Sequence, residues 1–305
     1  MLLHKKWIVS LILVLALLVP GISQASETAS KENTDRPSKI THETFKSKTL
    51  DRDYNYNIYF PENYQTSNKR YPVLYLLHGS GGSEDDWVKS GNVKETADRL
   101  IESGAIPPSV IVMPGSKSWW VDGYNEKAET AFFNDLIPHI DKKWRTIASK
   151  EGRLVAGLSA GGYGTVNFVL KRPDMFAAGA ALSPASYTPL PPSHSSAWKH
   201  ATFLKPDGTF DTEKWDELNY TSYIDDYKKQ DIKVPLYINS GDHDTFDIAY
   251  HAAVLYQSLR EHQPELVEFR VVDGDHEWKV WSETLPEAMT YMYKFVDGPK
   301  SPGKK

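Results

Sequence analysis

Residues 54–60 alternate apolar and polar side chains, the period-two pattern of a strand. Residues 73–77 form an unbroken apolar run that stops at His78-Gly79, as a strand buried on both faces does. A similar run at 110–113 stops at Pro114-Gly115, and further short apolar stretches at 154–156, 177–182, 236–239 and 267–272 read as strands. Helical spacing lies between them. It is seen at 93–103, at 126–144 (where Phe132, Phe133, Leu136, Ile137 and Ile140 share a face), at 160–172 before Pro173, at 248–262 and at 281–295. Strands alternating with helices predict an α/β fold, a mostly parallel sheet with helices on both faces. No internal repeat or low-complexity segment breaks the pattern.

Three stretches do not fit it. Residues 185–233 are rich in Pro, Ser, Trp and Tyr, show weak periodicity and are too long for an ordinary loop. They leave the C-terminal end of a strand, where α/β folds bind ligands, and are expected to form an irregular cap over a site. At the N-terminus, Lys5 and Lys6 precede an apolar run over 7–19, then Pro20-Gly21 and the small residues before Ala25. This is the layout of a secretory signal peptide cut after Ala25, which implies export. The run is shorter than the ~20 residues that span a bilayer, so an uncleaved anchor is the weaker alternative. Residues 26–39 and 299–305 read as a disordered leader and tail, leaving 40–298 as one domain.

Composition narrows the function. The chain has 305 residues, no cysteine and a formal charge of −5 without a basic block. Disulfides, thiol catalysis and thiolate metal sites are excluded, and nucleic acid is a poor partner. No other segment could span a membrane, so no membrane partner is expected after signal cleavage.

The chemistry centres on Gly157-Leu158-Ser159-Ala160-Gly161, a G-x-S-x-G directly after a strand and directly before a helix. A sharp turn there projects the serine hydroxyl above the sheet, with glycines leaving room, and the N–H of Ala160 faces a developing oxyanion. A serine needs a base. In this arrangement the order is Ser, acid, His, and His276, in the loop after the last strand, fits best against His243, His251 and His262. The acid loop Ser240-Gly241-Asp242-His243-Asp244 offers Asp244 first, with Asp242 and Asp247 behind it. Asp242-His243-Asp244 also hints at a metal, but adjacent ligands alone build no coordination shell, and neither metal nor cofactor is expected. A second oxyanion amide should come from the loop at 78–82, where His78 is read as structural.

These blocks together resemble the esterase D-like family of α/β-hydrolases. Leu76-Leu77-His78-Gly79-Ser80-Gly81-Gly82-Ser83-Glu84-Asp85-Asp86-Trp87 is similar to its oxyanion loop, Gly157-Leu158-Ser159-Ala160-Gly161-Gly162 to its nucleophile turn, and 240–244 and 274–281 to its acid and histidine loops. The resemblance runs over 44–295. It implies an α/β-hydrolase fold, a Ser159–His276–Asp244 triad working through an acyl-enzyme, and oxyanion amides from Ser80 and Ala160. The position after the nucleophile is often Met in that family; Ala160 alters the pocket wall. Feruloyl or acetyl esters of polysaccharides are the implied substrates. An acyltransferase with a sugar acceptor and a siderophore esterase are the alternatives, and a binding protein on a dead scaffold is opposed by the intact Ser, Asp and His. Export argues against the cytosolic S-formylglutathione hydrolases of the family. Of nine tryptophans, Trp119, Trp120 and Trp278 lie in the site loops and are candidates to stack on a sugar or aryl group, or else to plug the core edge.

Overall fold

The structure, a computed structural model, describes residues 37–302. The chain opens with an antiparallel hairpin, β1 (Lys39–Ser47) and β2 (Arg52–Phe60). It continues through β3 (Val73–Leu77), a one-turn α1 (Asp86–Lys89), α2 (Val93–Glu102) and β4 (Val110–Pro114). A composite helix follows, then β5 (Arg153–Leu158), α5 (Ala160–Lys171) and β6 (Ala178–Leu182). The composite helix is α3 (Ala128–Ala131), a π-helical turn (Phe132–Leu136) and α4 (Ile137–Lys143). The single regular helix expected over 126–144 is thus interrupted. Pro138 has no N–H to bond the carbonyl of Asn134, so the ladder widens there.

After β6 come α6 (Thr212–Glu217), α7 (Ile224–Lys228), β7 (Leu236–Gly241), α8 (Ile248–His262), β8 (Val267–Val272) and α9 (Trp278–Met292). The strands form one sheet in the order β1-β2-β4-β3-β5-β6-β7-β8. The first two neighbour pairs are antiparallel, and all pairs from β4–β3 onward are parallel. Alternate strand residues serve opposite faces. Val73, Tyr75 and Leu77 join the cluster that contains α5, α8 and the composite helix, whereas Leu74 and Leu76 join the one that contains α2 and α9. This is the mostly parallel, two-faced α/β sheet expected from the strand–helix alternation, and the α/β-hydrolase fold that the resemblance implies.

Differences from the sequence reading are local. β1 has no apolar alternation because it is a half-exposed edge strand, and Lys39, expected in the leader, is its first residue. The Ser38 hydroxyl donates to Asp98, and Lys300, expected in a disordered tail, pairs with Arg70 in an antiparallel bridge. α9 starts at Trp278 rather than Trp281. The signal peptide lies outside the described residues. No helix among the described residues is long and apolar enough to cross a membrane.

The segment 185–233 packs as a cap through aromatic pairs rather than one helical stripe, which is why its periodicity is weak. Trp215 is fully buried; its ring stacks on Tyr163 of α5 (5.6 Å, 15°) and meets Phe203 edge-on at 5.0 Å. The Tyr163 hydroxyl and the Asn167 amide both donate to the carbonyl of Leu218, tying the cap to α5. Trp215→Ala should therefore lower unfolding stability by about 3–5 kcal/mol; urea titration read by fluorescence checks this.

Candidate active site

The turn between β5 and α5 places Ser159 at φ 52°, ψ −116°, a strained backbone that costs about 1–3 kcal/mol. The two glycines make it possible. A Cβ on Gly157 would lie 2.5 Å from the backbone of Gly161, and one on Gly161 would lie 2.5 Å from the Leu77 carbonyl oxygen. Ser159 N–H donates to Leu182, and the Ser159 carbonyl accepts from Tyr163 and Ala185. The turn is therefore pinned to β6, α5 and the start of the cap.

Ser159, His276 and Asp244 converge. Asp244 Oδ2 lies 2.8 Å from His276 Nδ1, and His276 Nε2 lies 2.8 Å from Ser159 Oγ. The Asp244 side chain is fully buried and its other oxygen accepts the N–H of Phe246. An ionised carboxylate can only accept, so Nδ1 carries the proton and Nε2 is left to accept from the serine hydroxyl. The imidazole is gripped edge-on by Phe246 (4.8 Å) and Trp281 (4.9 Å).

The rivals lie elsewhere. Asp242 is exposed and bonds His243 and the N–H of Gly274, which holds its carboxyl below the usual range. Asp247 precedes α8. His251 accepts from the N–H of Thr188, and His262 packs on Tyr227. Asp242, His243 and Asp273 bring ligand atoms within 4.8 Å of one another, but all three are exposed and none lines the cleft over Ser159.

Asp275 was not singled out from the sequence. Its Oδ1 accepts the N–H groups of His276 and Thr245, both at 2.6 Å, and its Oδ2 accepts the Thr245 hydroxyl. These donors hold its carboxyl below the usual range. One side chain thus staples the histidine loop to the acid loop.

The loop at 78–82 lies against the Ser159 turn. A Cβ on Gly79 would fall 2.7 Å from Leu158 and 3.5 Å from Ser159 Cβ. Buried His78 braces the loop: Nδ1 donates to the Gly79 carbonyl at 2.7 Å and Nε2 accepts the Ser116 N–H at 3.0 Å. Both roles require a neutral ring, and burial pushes its pKa down. Ala160, as the first residue of α5, keeps an N–H outside the helical ladder.

A cleft of about 480 Å³ opens over Ser159. Ser80, Trp119, Trp278 and Trp281 line it together with Tyr187, Ser195 and Ser196 of the cap, Phe246, and the carboxylates Asp86 and Glu277. Trp87, Trp278 and Trp281 form an edge-to-face ladder ending at His276, with Trp87 Nε1 donating to the Leu77 carbonyl. Trp120 does not reach the cleft. It is fully buried against Gly164 and donates to the His78 carbonyl, so it is a core plug. The cap residues carried no sequence signal, because they sit in a segment without periodicity.

Because His78 is held neutral, an unfolded chain takes up a proton there that the folded one resists. Its contribution is present above the ordinary value of 6.5 and is lost as pH falls through the folded value. His200 and His251, also lowered by burial, act in the same direction. Denaturant titrations between pH 7.5 and 5 should show stability declining with pH, and less steeply in His78→Gln.

Comparison with known proteins agrees with this architecture. Residues 47–292 match the Esterase family model, described as Putative esterase. An endo-1,4-beta-xylanase/feruloyl esterase of Xylanibacter ruminicola is 36% identical over 160 residues, 49% of this chain and 22% of that protein. Esterase Rv1288 of Mycobacterium tuberculosis is 32% identical over 51% of this chain and 34% of its own. The chain thus spans about a third or less of the length of these two curated relatives. A solved ferulic acid esterase superposes with TM-score 0.71 at 27% identity, covering 85% of this chain and 99% of that one. FphF, a fluorophosphonate-binding serine hydrolase of Staphylococcus aureus, does so with TM-score 0.69 at 21% identity over 85% and 99%. With more than three quarters of its length matched, the chain belongs to the esterase family of α/β-hydrolases.

Proposed function

We propose that this protein is an exported serine esterase that hydrolyses neutral carboxylic esters, feruloyl or acetyl esters of polysaccharides foremost. The observation that carries the reading is the unbroken hydrogen-bonded line Asp244–His276–Ser159 ending in an aromatic-walled cleft. Ser159 Oγ attacks the ester carbonyl while His276 Nε2 takes its proton, and Asp244 holds the ring in the accepting tautomer and stabilises the imidazolium. The N–H groups of Ser80 and Ala160 receive the oxyanion. His276 then returns the proton to the leaving alcohol, and water releases the acyl group through the same base. The Trp278–Trp281 wall suits an aryl or pyranose face. The names of the relatives, a xylanase/feruloyl esterase and an acetyl esterase of Caldicellulosiruptor saccharolyticus, support the substrate class. Export rests on Lys5, Lys6 and the apolar run at 7–19.

Ser159→Ala should lower kcat on p-nitrophenyl acetate and methyl ferulate by about 10⁶. Asp244→Asn should cost up to ~10⁴ by reversing the tautomer, and Asp242→Asn no more than a few-fold. Steady-state rates on purified variants decide it, and a crippled Asp242→Asn beside an active Asp244→Asn would move the acid role.

Asp86 and Glu277 line the cleft, and no Lys or Arg does so among the described residues. An ester bearing a carboxylate should therefore be the poorer substrate, by about 3–10-fold in kcat/KM at low salt. The neutral-to-anionic ratio for a size-matched ester pair should shrink in Glu277→Gln and on adding salt. A ratio near one in the wild type would remove the electrostatic part of the substrate reading.

A further inference from the structure

We propose that the side-chain hydroxyl of Ser80, and not only its backbone N–H, is a donor to the oxyanion. The proposal rests on the reading of Ser159 as nucleophile. Ser80 Oγ accepts a hydrogen bond from Trp119 Nε1 at 3.0 Å. An indole N–H can only donate, so this bond takes a lone pair and leaves the hydroxyl proton unspent. Ser196 Oγ, 3.1 Å away on the exposed side of the cap, donates the second bond. With two donors on one oxygen, the proton of Ser80 is directed away from both, and Ser80 lines the cleft over Ser159.

The loop that carries Ser80 runs beside Ser159. The preceding residue, Gly79, lies so near that its absent Cβ would be 3.5 Å from Ser159 Cβ. The loop is braced from behind by His78 and by the Trp120 indole on the His78 carbonyl. The hydroxyl is thus held before substrate arrives, by a buried indole that is itself packed edge-on against Tyr163 and Phe203. An O–H donor fixed in advance gains most when the carbonyl oxygen becomes negative, so it acts on the transition state more than on the bound ester. Trp119 is then a positioning residue, acting through Ser80 rather than on substrate.

The test compares Ser80→Ala, Trp119→Phe and the double variant on p-nitrophenyl acetate, with Ser159→Ala as reference and urea titrations to check folding. Ser80→Ala keeps the backbone N–H and should lower kcat by about 10–100-fold, with KM within two-fold. Trp119→Phe should cost less, and the double variant should be no slower than Ser80→Ala alone, because both changes remove one hydroxyl contact. A Ser80→Ala enzyme within two-fold of wild type in kcat, a loss expressed only in KM, or losses that multiply in the double variant would each overturn the proposal. Full activity in Ser159→Ala would instead overturn the underlying nucleophile reading, whatever Ser80 does.

Discussion

Two residues before and two residues after Ser159, the turn from β5 to α5 leaves no space for a side chain. Gly157 meets the backbone of Gly161, and Gly161 meets the carbonyl of Leu77 at the end of β3. That contact brings three elements to one point. It lets α5 start directly over the sheet edge, forces Ser159 to positive φ and draws the Leu77–His78–Gly79 backbone alongside the turn. A methyl group at Gly161 would push against the Leu77 and His78 carbonyls, backbone contacts that neither rotamer change nor small side-chain motion relieves. The strain at Ser159 is offset by the bonds that pin it, to Leu182 through its N–H and to Tyr163 and Ala185 through its carbonyl.

From that point the site is assembled by loops that are each held twice. The oxyanion-side loop is held by His78 and by Trp120. The acid and histidine loops leave neighbouring parallel strands, β7 and β8, and Asp275 links them through two hydrogen bonds from Thr245 while a third, from the His276 N–H, fixes its own loop. Strand pairing fixes the spacing of the two loops, and Asp275 fixes their approach, so the Asp244–His276 contact needs little further ordering. Besides its hydrogen bonds, the imidazole packs edge-to-face with Phe246 and Trp281, and the Asp244 side chain behind it is fully buried.

Much of the fold was legible because parallel strands buried on both faces leave short apolar runs. Those runs ended at glycines or prolines with few ambiguities. The turn at Ser159 was legible for a related reason: its steric demands leave glycine little alternative at two positions. What escaped the sequence reading lacked such a constraint. β1 is an edge strand with mostly polar residues, and nothing in its composition separates it from a loop. The composite helix keeps a helical apolar face, so the widened turn ahead of Pro138 is hidden from periodicity. Trp119 and Trp120 are adjacent and chemically identical, yet one reaches the cleft and the other fills the core. The difference arises from Trp120 at φ 65°, which turns its ring under the loop. No pattern of residue types carries that information. Asp275 looked like an ordinary turn residue because its role is to accept three hydrogen bonds from two loops far apart in sequence.

The cap joins these parts into one cleft. It supplies Tyr187, Ser195 and Ser196 to the cleft that Trp278 and Trp281 also line. It is fastened to α5, the same helix that starts directly after Ser159, through Tyr163 and Asn167 on the Leu218 carbonyl. Two chains of contacts lead from the cap toward the loop at 78–82. One runs through Tyr163 to Trp119, whose rings are 5.8 Å apart, and the other through Ser196 to Ser80. Both routes end on Ser80. The aromatic packing that buries Trp215 and the hydrogen bond that reaches Ser80 from Trp119 thus meet in the same two rings, Tyr163 and Trp119.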